Sequence, residues 1–284
     1  MKLPKFERLI GWSPTKLADW DECPLRAQLK HGVKLCPCCF EEQAIQSWDK
    51  SITAPDGVVI GPETAYCSKK GEVIPKAKPL ANGIALGGSL ERFIDGRDNA
   101  LDKKISHPTV LRIAAKLRAQ FKKGLVKVEA AMNFTEGWTQ ELNKFAKGVW
   151  LRTKLDVLRT GAKKGLVEVI DWKTGGIDKR TGQIRASEKY DDQLSIYTTA
   201  ALTADPGAAR AEASLVFIEA PHSIDPVVAR ESCDLKRKDL PKAQKKWSLR
   251  VVAMLNDETF APRPGFYCGW CDYSKERGGP CPVA

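Results

Sequence analysis

The sequence predicts an α/β core with a mixed central sheet flanked by helices, in a single domain spanning residues 1–284. Two observations carry this expectation. Helical spacing opens the chain, strand-like segments rich in Val, Ile and Leu fill its middle, and a further helix and strand follow them, an order that suggests a mixed sheet. The 284 residues are 43% apolar, enough to bury a sizeable core. No internal repeat and no P-loop is visible, so nothing points to an ATP-driven motor.

Residues Ser13 to Cys23 read as a capped helix, with Ser13 as N-cap, Pro14 at the first helical position, and Leu17 and Trp20 spaced for one face. Residues 34–82 lose clear periodicity and form a loop-rich, Cys-containing insertion. Around Leu86 a stripe of Leu86, Leu90, Phe93 and Ile94 marks a helix, and 109–123 is a second, strongly basic one. Strands are expected at 125–134, 148–159 and 165–173, with a polar turn from Gly161 to Gly165 between the last two. Helical spacing resumes at 191–204, a strand follows at 213–219, and a basic helix at about 238–255 leads into a Cys-rich segment at about 262–284.

Charge narrows the function. With 46 Lys+Arg against 35 Asp+Glu the chain carries +11, which favours a polyanionic partner, most simply nucleic acid. No run of 18 apolar residues exists, so no membrane span is expected. The opening MKLPKFERLIGWSPTK lacks the apolar stretch of a secretory signal, and a cytoplasmic protein is expected. Nine cysteines in that setting point to metal binding or spare thiols rather than a disulfide framework.

The most informative stretch is Leu151-Arg-Thr-Lys-Leu-Asp156-Val-Leu-Arg followed by Leu166-Val-Glu-Val-Ile-Asp171-Trp-Lys173-Thr-Gly. Side chains alternate along a strand, so Asp171 and Lys173 share a face and Trp172 takes the other. A hairpin turn can bring Asp156 beside Asp171. Two close carboxylates repel and are stable together mainly around a hard divalent cation such as Mg²⁺ or Mn²⁺. A nearby lysine can orient a water and offset charge on an attacked phosphate. An isolated Asp-x-Lys is usually a surface ion pair; here it ends an apolar strand and is trailed by Thr-Gly-Gly.

The cysteines fall into two groups. Cys268, Cys271 and Cys281 give C-x2-C-x9-C, three thiolates where Zn²⁺ and Fe–S clusters both want four. Cys36, Cys38, Cys39 and Cys67 form either a separate zinc site or incidental thiols in an insertion; adjacent Cys38 and Cys39 are an awkward spacing for chelation. Cys233 reads as structural or incidental.

Taken together these motifs resemble the RecB-like branch of the PD-(D/E)XK nuclease superfamily, which includes CRISPR-associated, AddB-type and phage exonucleases. The resemblance covers most of the chain outside 34–82. It is carried by Ser13-Pro14-Thr15-Lys16-Leu17 with Cys23-Pro24, by Gly87-Gly88, Asp156 and Asp171-Trp172-Lys173-Thr174, and by Gln193 and Tyr197, which at i, i+4 share a helix face. Where many relatives carry a metal-ligating His, this chain has Glu91, and His31, His107 and His222 lie elsewhere. The resemblance implies a restriction-endonuclease-like fold and a metal-dependent DNA exonuclease for single-stranded or frayed ends, serving recombination, repair or phage and mobile-element DNA processing. Glu91, Asp156 and Asp171 would bind Mg²⁺ or Mn²⁺, Lys173 would orient the water, and Gln193 and Tyr197 would hold substrate or Lys173. It also supplies Cys23 as a fourth thiolate beside Cys268, Cys271 and Cys281, for a [4Fe–4S] cluster in preference to Zn²⁺ that joins the two ends of the chain. A helicase or recombination partner is compatible with the absence of a motor, and oligomeric state is not legible. The basic run Lys236–Arg250, with seven cations in fifteen residues, is expected to contact phosphates. A non-cleaving DNA-binding subunit and a sequence-specific endonuclease are the alternatives.

Overall fold

The computed structural model describes residues 9, 11–41, 45–46, 52–53, 59–60, 64–75, 78–178, 181, 183 and 188–283. The chain divides into two compact units, Met1–Ala81 with Leu249–Ala284, and Asn82–Ser248.

In chain order the elements are α1 (Pro14–Glu22), α2 (Pro24–Ala27), the short strands β1 (Ile45–Gln46), β2 (Ile52–Thr53), β3 (Val59–Ile60), β4 (Thr64–Cys67) and β5 (Glu72–Pro75), and helices α3 (Lys78–Ile94) and α4 (Pro108–Phe121). Strands β6 (Val126–Phe134), β7 (Gln140–Glu141), β8 (Leu151–Lys163) and β9 (Leu166–Lys173) follow, then α5 (Glu188–Ala204), β10 (Arg210–Phe217), β11 (Val227–Lys236) and α6 (Leu240–Leu255).

Six of these strands form one sheet in the order β11-β10-β9-β8-β6-β7. Strands β9 and β10, joined through α5, are parallel, and every other pair is antiparallel, so the sheet is mixed as expected. One face buries Val157, Ile170 and Val216 against Leu86, Leu90 and Ile94 of α3 and Val110, Ala114 and Leu117 of α4. Because side chains alternate, the residues between them, Asp156 and Asp171 among them, turn to the other face, where α5 packs. The core is thus a helix–sheet–helix sandwich whose polar row lies beneath α5.

Several boundaries differ from the sequence expectation for identifiable reasons. Gly148 takes φ +91°, and Trp150 donates its backbone N–H to Phe134 O at 2.8 Å, so 148–150 form the turn into β8 rather than its first residues. At its far end β8 runs through Gly161, and the turn shrinks to Lys164–Gly165 behind a register shift between Thr160 and Lys163. Helix α3 begins at Lys78, inside the stretch read as an insertion, and the rest of that stretch carries β1, β4 and β5 in one small sheet and β2 with β3 in another. The edge strand β11 was not anticipated at all.

In the unit built from both ends of the chain, Ser13 caps α1 by accepting a hydrogen bond from Lys16 N at 3.2 Å. Asp19 lies buried among Arg26, Lys30 and His31 at 2.9, 2.8 and 2.7 Å. Burial works against its charge, but the His31 and Lys30 hydrogen bonds and the neighbouring cations outweigh that and lower its pKa to about 2. Trp20 donates to Asp257 at 2.9 Å, and Arg250 pairs with Asp21 at 2.6 Å, tying the N-terminal helices to the C-terminal segment. No helix among the described residues is long and apolar enough to cross a membrane.

Candidate active site

The site is built on the β8–β9 hairpin. Val157 pairs with Ile170, and the same register carried one step further sets Asp156 opposite Asp171 on the α5 side of the sheet. Asp156 is partly buried and accepts the backbone N–H of Trp172 at 2.8 Å. Asp171 is 2% exposed. Two residues on, Lys173 returns to the same face and sets its Nζ 2.5 Å from Asp171 Oδ2. Thr174 follows directly, and α3 comes so close there that a side chain on Gly83 would put its Cβ 2.9 Å from Thr174 Oγ1.

Helix α5 supplies the other half. Gln193 accepts from Lys173 Nζ at 3.0 Å, and its amide nitrogen donates to Asp171 Oδ1 at 3.3 Å and to Tyr197 Oη at 2.7 Å. Tyr190, on the same helix, sets its ring 4.9 Å from Lys173 Nζ. One amide therefore touches the lysine, the aspartate and the tyrosine at once, which fixes Lys173 against Asp171 rather than leaving it free to extend.

The electrostatics set two carboxylates against one lysine. Burial and the facing Asp171 push the Asp156 carboxyl up to about 7, against the pull of the Trp172 N–H and Lys173. Burial likewise raises Asp171 despite Lys173, and it raises Tyr197, with Asp171 adding to the effect. One lysine does not neutralise two buried carboxylates. Their hard oxygen donors on one face of a rigid hairpin fit a divalent cation of the Mg²⁺ or Mn²⁺ kind.

Glu91 sits on α3 and lines one pocket with Val128 and Ala130 of β6. Its carboxylate is held by Arg97, which also pairs with Asp95 at 2.6 Å. A different acid joins the row. Pairs Val128↔Val157 and Ala130↔Leu155 bracket Glu129, which is level with Asp156 on β6. Its φ of +51° breaks the ladder at that position. Glu129 pairs with Lys154, and its charge helps raise both Asp156 and Tyr197. Three carboxylates, Glu129, Asp156 and Asp171, therefore cross the sheet on consecutive strands.

A family model described as the PD-(D/E)XK nuclease superfamily matches residues 77–275. The chain belongs to this superfamily. A solved structure titled "Crystal structure of SSO0001" is similar at 14% identity over 69% of this chain and 95% of that one, with a TM-score of 0.29. No curated protein matches. Membership implies a metal-dependent nuclease, and residues 77–275 include the Asp156, Asp171 and Lys173 group described above. The matched span also contains Glu91, Gln193, Tyr197, Cys268 and Cys271, and leaves Cys23 and Cys281 outside.

In the unit formed by the chain ends, Cys281 packs with Leu25, Leu29, Leu35 and Tyr273, and Cys23 and Cys271 pack against the same cluster. Burial raises the Cys271 thiol, and Cys281 and Cys23 add to it against the Tyr273 N–H and Arg26. Arg263 N donates to Cys23 Sγ at 3.5 Å and Gly265 N to Cys268 Sγ at 3.4 Å. Cys23, Cys271 and Cys281 are neighbours, yet with Cys268 they are not drawn into one group within 4.8 Å as Cys36, Cys38, Cys39 and Cys67 are.

The basic run is partly structural. Arg237 spends its guanidinium on the carbonyls of Ala208 and Asp205 beyond the end of α5, and Arg250 on Asp21. Lys242, Lys245 and Lys246 of α6 stay exposed.

Proposed function

We propose that this nuclease is an exonuclease of the RecB-like kind, removing nucleotides from single-stranded or frayed DNA ends, with Mg²⁺ or Mn²⁺ at the carboxylates and a [4Fe–4S] cluster on Cys23, Cys268, Cys271 and Cys281. The observation that carries the reading is the buried Asp156–Asp171 pair with Lys173 clamped beside it by Gln193. When bound, the cation lowers the pKa of a coordinated water and offsets charge on the phosphate. Asp156 and Asp171 would hold it, with Glu129 or Glu91 as the third acid. Lys173 keeps its ammonium between Asp171 and Gln193, where it can donate to the incoming water or to a phosphate oxygen. Gln193 is a positioning residue for that lysine, and Tyr197 in turn fixes Gln193. The five lysines of the Lys236–Arg250 run, with the +11 balance, favour a strand held by its phosphates.

The cysteine chemistry agrees with a cluster. A tetrahedral zinc with bonds of about 2.3 Å sets its sulfurs about 3.8 Å apart. A cubane takes four thiolates, and Cys23, Cys271 and Cys281 already pack on one apolar cluster in the unit built from both chain ends.

End-labelled linear DNA and covalently closed circles, each with Mg²⁺ or Mn²⁺, test the proposal. Linear substrate should be degraded from its ends and circles spared. Asp171→Ala and Lys173→Ala should lose cleavage by several orders of magnitude while still binding DNA in Ca²⁺. Circles cut as fast as linear DNA would make the chain an endonuclease. Binding without cleavage in either metal would make it a non-cleaving subunit.

A further inference from the structure

A second set of four cysteines lies far along the sequence from the proposed catalytic residues and takes no part in the chemistry above. Cys36, Cys38 and Cys39 sit on a tight loop closed by two backbone hydrogen bonds, Cys36 N to Glu41 O and Phe40 N to Cys36 O, both at 2.9 Å. Cys67 ends β4 and opens the turn into β5, which closes through Gly71 N to Cys67 O at 2.9 Å, with Gly71 at φ +68°. The chain leaving the first loop returns as β1 and pairs Ile45 with Cys67, which brings loop and turn together.

The sulfurs converge. Cys36 and Cys38 approach to 3.4 Å, Cys39 and Cys67 to 3.5 Å, and all four lie within 4.8 Å of one another. Around a single tetrahedral zinc the sulfurs stand about 3.8 Å apart, so this set has the spacing of one ion and not of a cluster. Adjacent Cys38 and Cys39 are awkward chelators only on a strand, where they would point to opposite faces; on this turn both aim at one centre. All four are free thiols, and 3.4–3.5 Å is far beyond a disulfide bond of about 2.05 Å. Lys70 N donates to Cys67 Sγ at 3.4 Å, the kind of backbone hydrogen bond that supports a metal-bound thiolate. Among the described residues, Cys36 and Cys67 are buried with Cys38 and Cys39 packed against them, a cluster made of cysteine alone. The strands around them are two to four residues long. Segments this small are held by a staple rather than by a core.

We propose that Cys36, Cys38, Cys39 and Cys67 bind one structural Zn²⁺ as a closed tetrathiolate that clamps the 36–41 loop to the β4–β5 turn. All four positions are protein sulfur, so the ion has no open position and plays no part in cleavage. This site is independent of the nuclease reading, since metal content and spectra report on it without any activity.

Elemental analysis of the reduced, chelator-washed protein should find one zinc per chain. The Cys36→Ser/Cys67→Ser variant should contain none, whereas Cys281→Ser and Asp171→Ala should keep theirs. Refolding the Cys281→Ser variant, which lacks the other thiolate set, with Co²⁺ should give the intense visible bands of tetrahedral cobalt thiolate, which answers the question even if the double variant does not fold. Absence of those bands, zinc retained by the double variant, zinc lost with Cys281→Ser, iron in place of zinc at these positions, or native pairing of the four thiols as disulfides would each overturn the proposal.

Discussion

The buried carboxylate pair should make the metal-free protein less stable as pH rises, the reverse of the usual behaviour of paired acids. Asp156 titrates at about 7 in the folded chain against an ordinary 3.8. Between those values the folded state holds a proton that the unfolded chain has released, so unfolding stability falls with pH across that window and is flat outside it. A difference of about three pKa units corresponds to about 4 kcal/mol, an upper figure because Asp156 keeps some exposure. Asp171, raised by the same burial, adds in the same direction. The measurement is urea unfolding in EDTA from pH 4.5 to 8, for wild type and Asp156→Asn. The amide retains an acceptor for the Trp172 N–H but cannot ionise, so the stability difference between the two proteins isolates this pair from every other titrating group. Asn should gain on wild type by a few kcal/mol over that range, and Mn²⁺ should restore wild type at pH 8 while leaving the variant unmoved. If the two proteins keep a constant difference from pH 4.5 to 8, the facing carboxylates are not the strained pair described here and the case for a cation between them fails.

Four further outcomes follow. Glu129→Gln should reduce Mn²⁺-dependent cleavage by at least tenfold, and a larger loss for Glu91→Gln in the same assay would return the third acid to α3. Asp19→Asn should cost about 2 kcal/mol at neutral pH. Because its folded pKa is about 2, the cost should be complete above pH 4 and vanish as pH falls through 2, checked by urea midpoints against pH. Cys281→Ser should bleach the anaerobically purified protein and lower its melting temperature, read from the visible spectrum, iron content and calorimetry; unchanged colour and melting would remove Cys281 from the ligand set. Changing Lys242, Lys245 and Lys246 together to Ala should weaken single-strand binding and flatten the slope of log affinity against log salt by about 2, measured by anisotropy in Ca²⁺.

What could be read from the sequence was what local patterning specifies. The β8–β9 hairpin declares itself twice, through an apolar alternation and through a turn, and it fixes Asp156 opposite Asp171 without help from the rest of the fold. Gln193 and Tyr197 were legible because four residues is one helical turn. Strand β11 was not, since Val-Val-Ala-Arg-Glu-Ser-Cys-Asp-Leu-Lys alternates poorly, and its pairing with β10 includes a register shift between Glu212 and Ser214. The four insertion cysteines were ambiguous for a similar reason: a turn and a strand pairing bring them together, and neither is visible in their spacing.

Glu129 is the instructive case. Simple alternation from Val126 and Val128, both turned to the core shared with α3 and α4, makes Glu129 one more outward polar residue of an amphipathic strand. Only two non-local facts distinguish it, the register that sets it level with Asp156 and the left-handed backbone that interrupts the ladder there. A non-glycine residue held at positive φ inside a strand is costly, by about 1–3 kcal/mol, and persists where surrounding structure imposes it. Here the strain falls on the acid that completes a row of three carboxylates across β6, β8 and β9. Glu91, chosen by alignment to a helix motif, already has its charge answered by Arg97. Lys154 partners Glu129 from the adjacent strand on a side chain 58% exposed, a contact that a cation arriving at the row can displace at little cost. Arg97 is itself 54% exposed and as readily displaced from Glu91, so Glu129→Gln set against Glu91→Gln decides which acid completes the set.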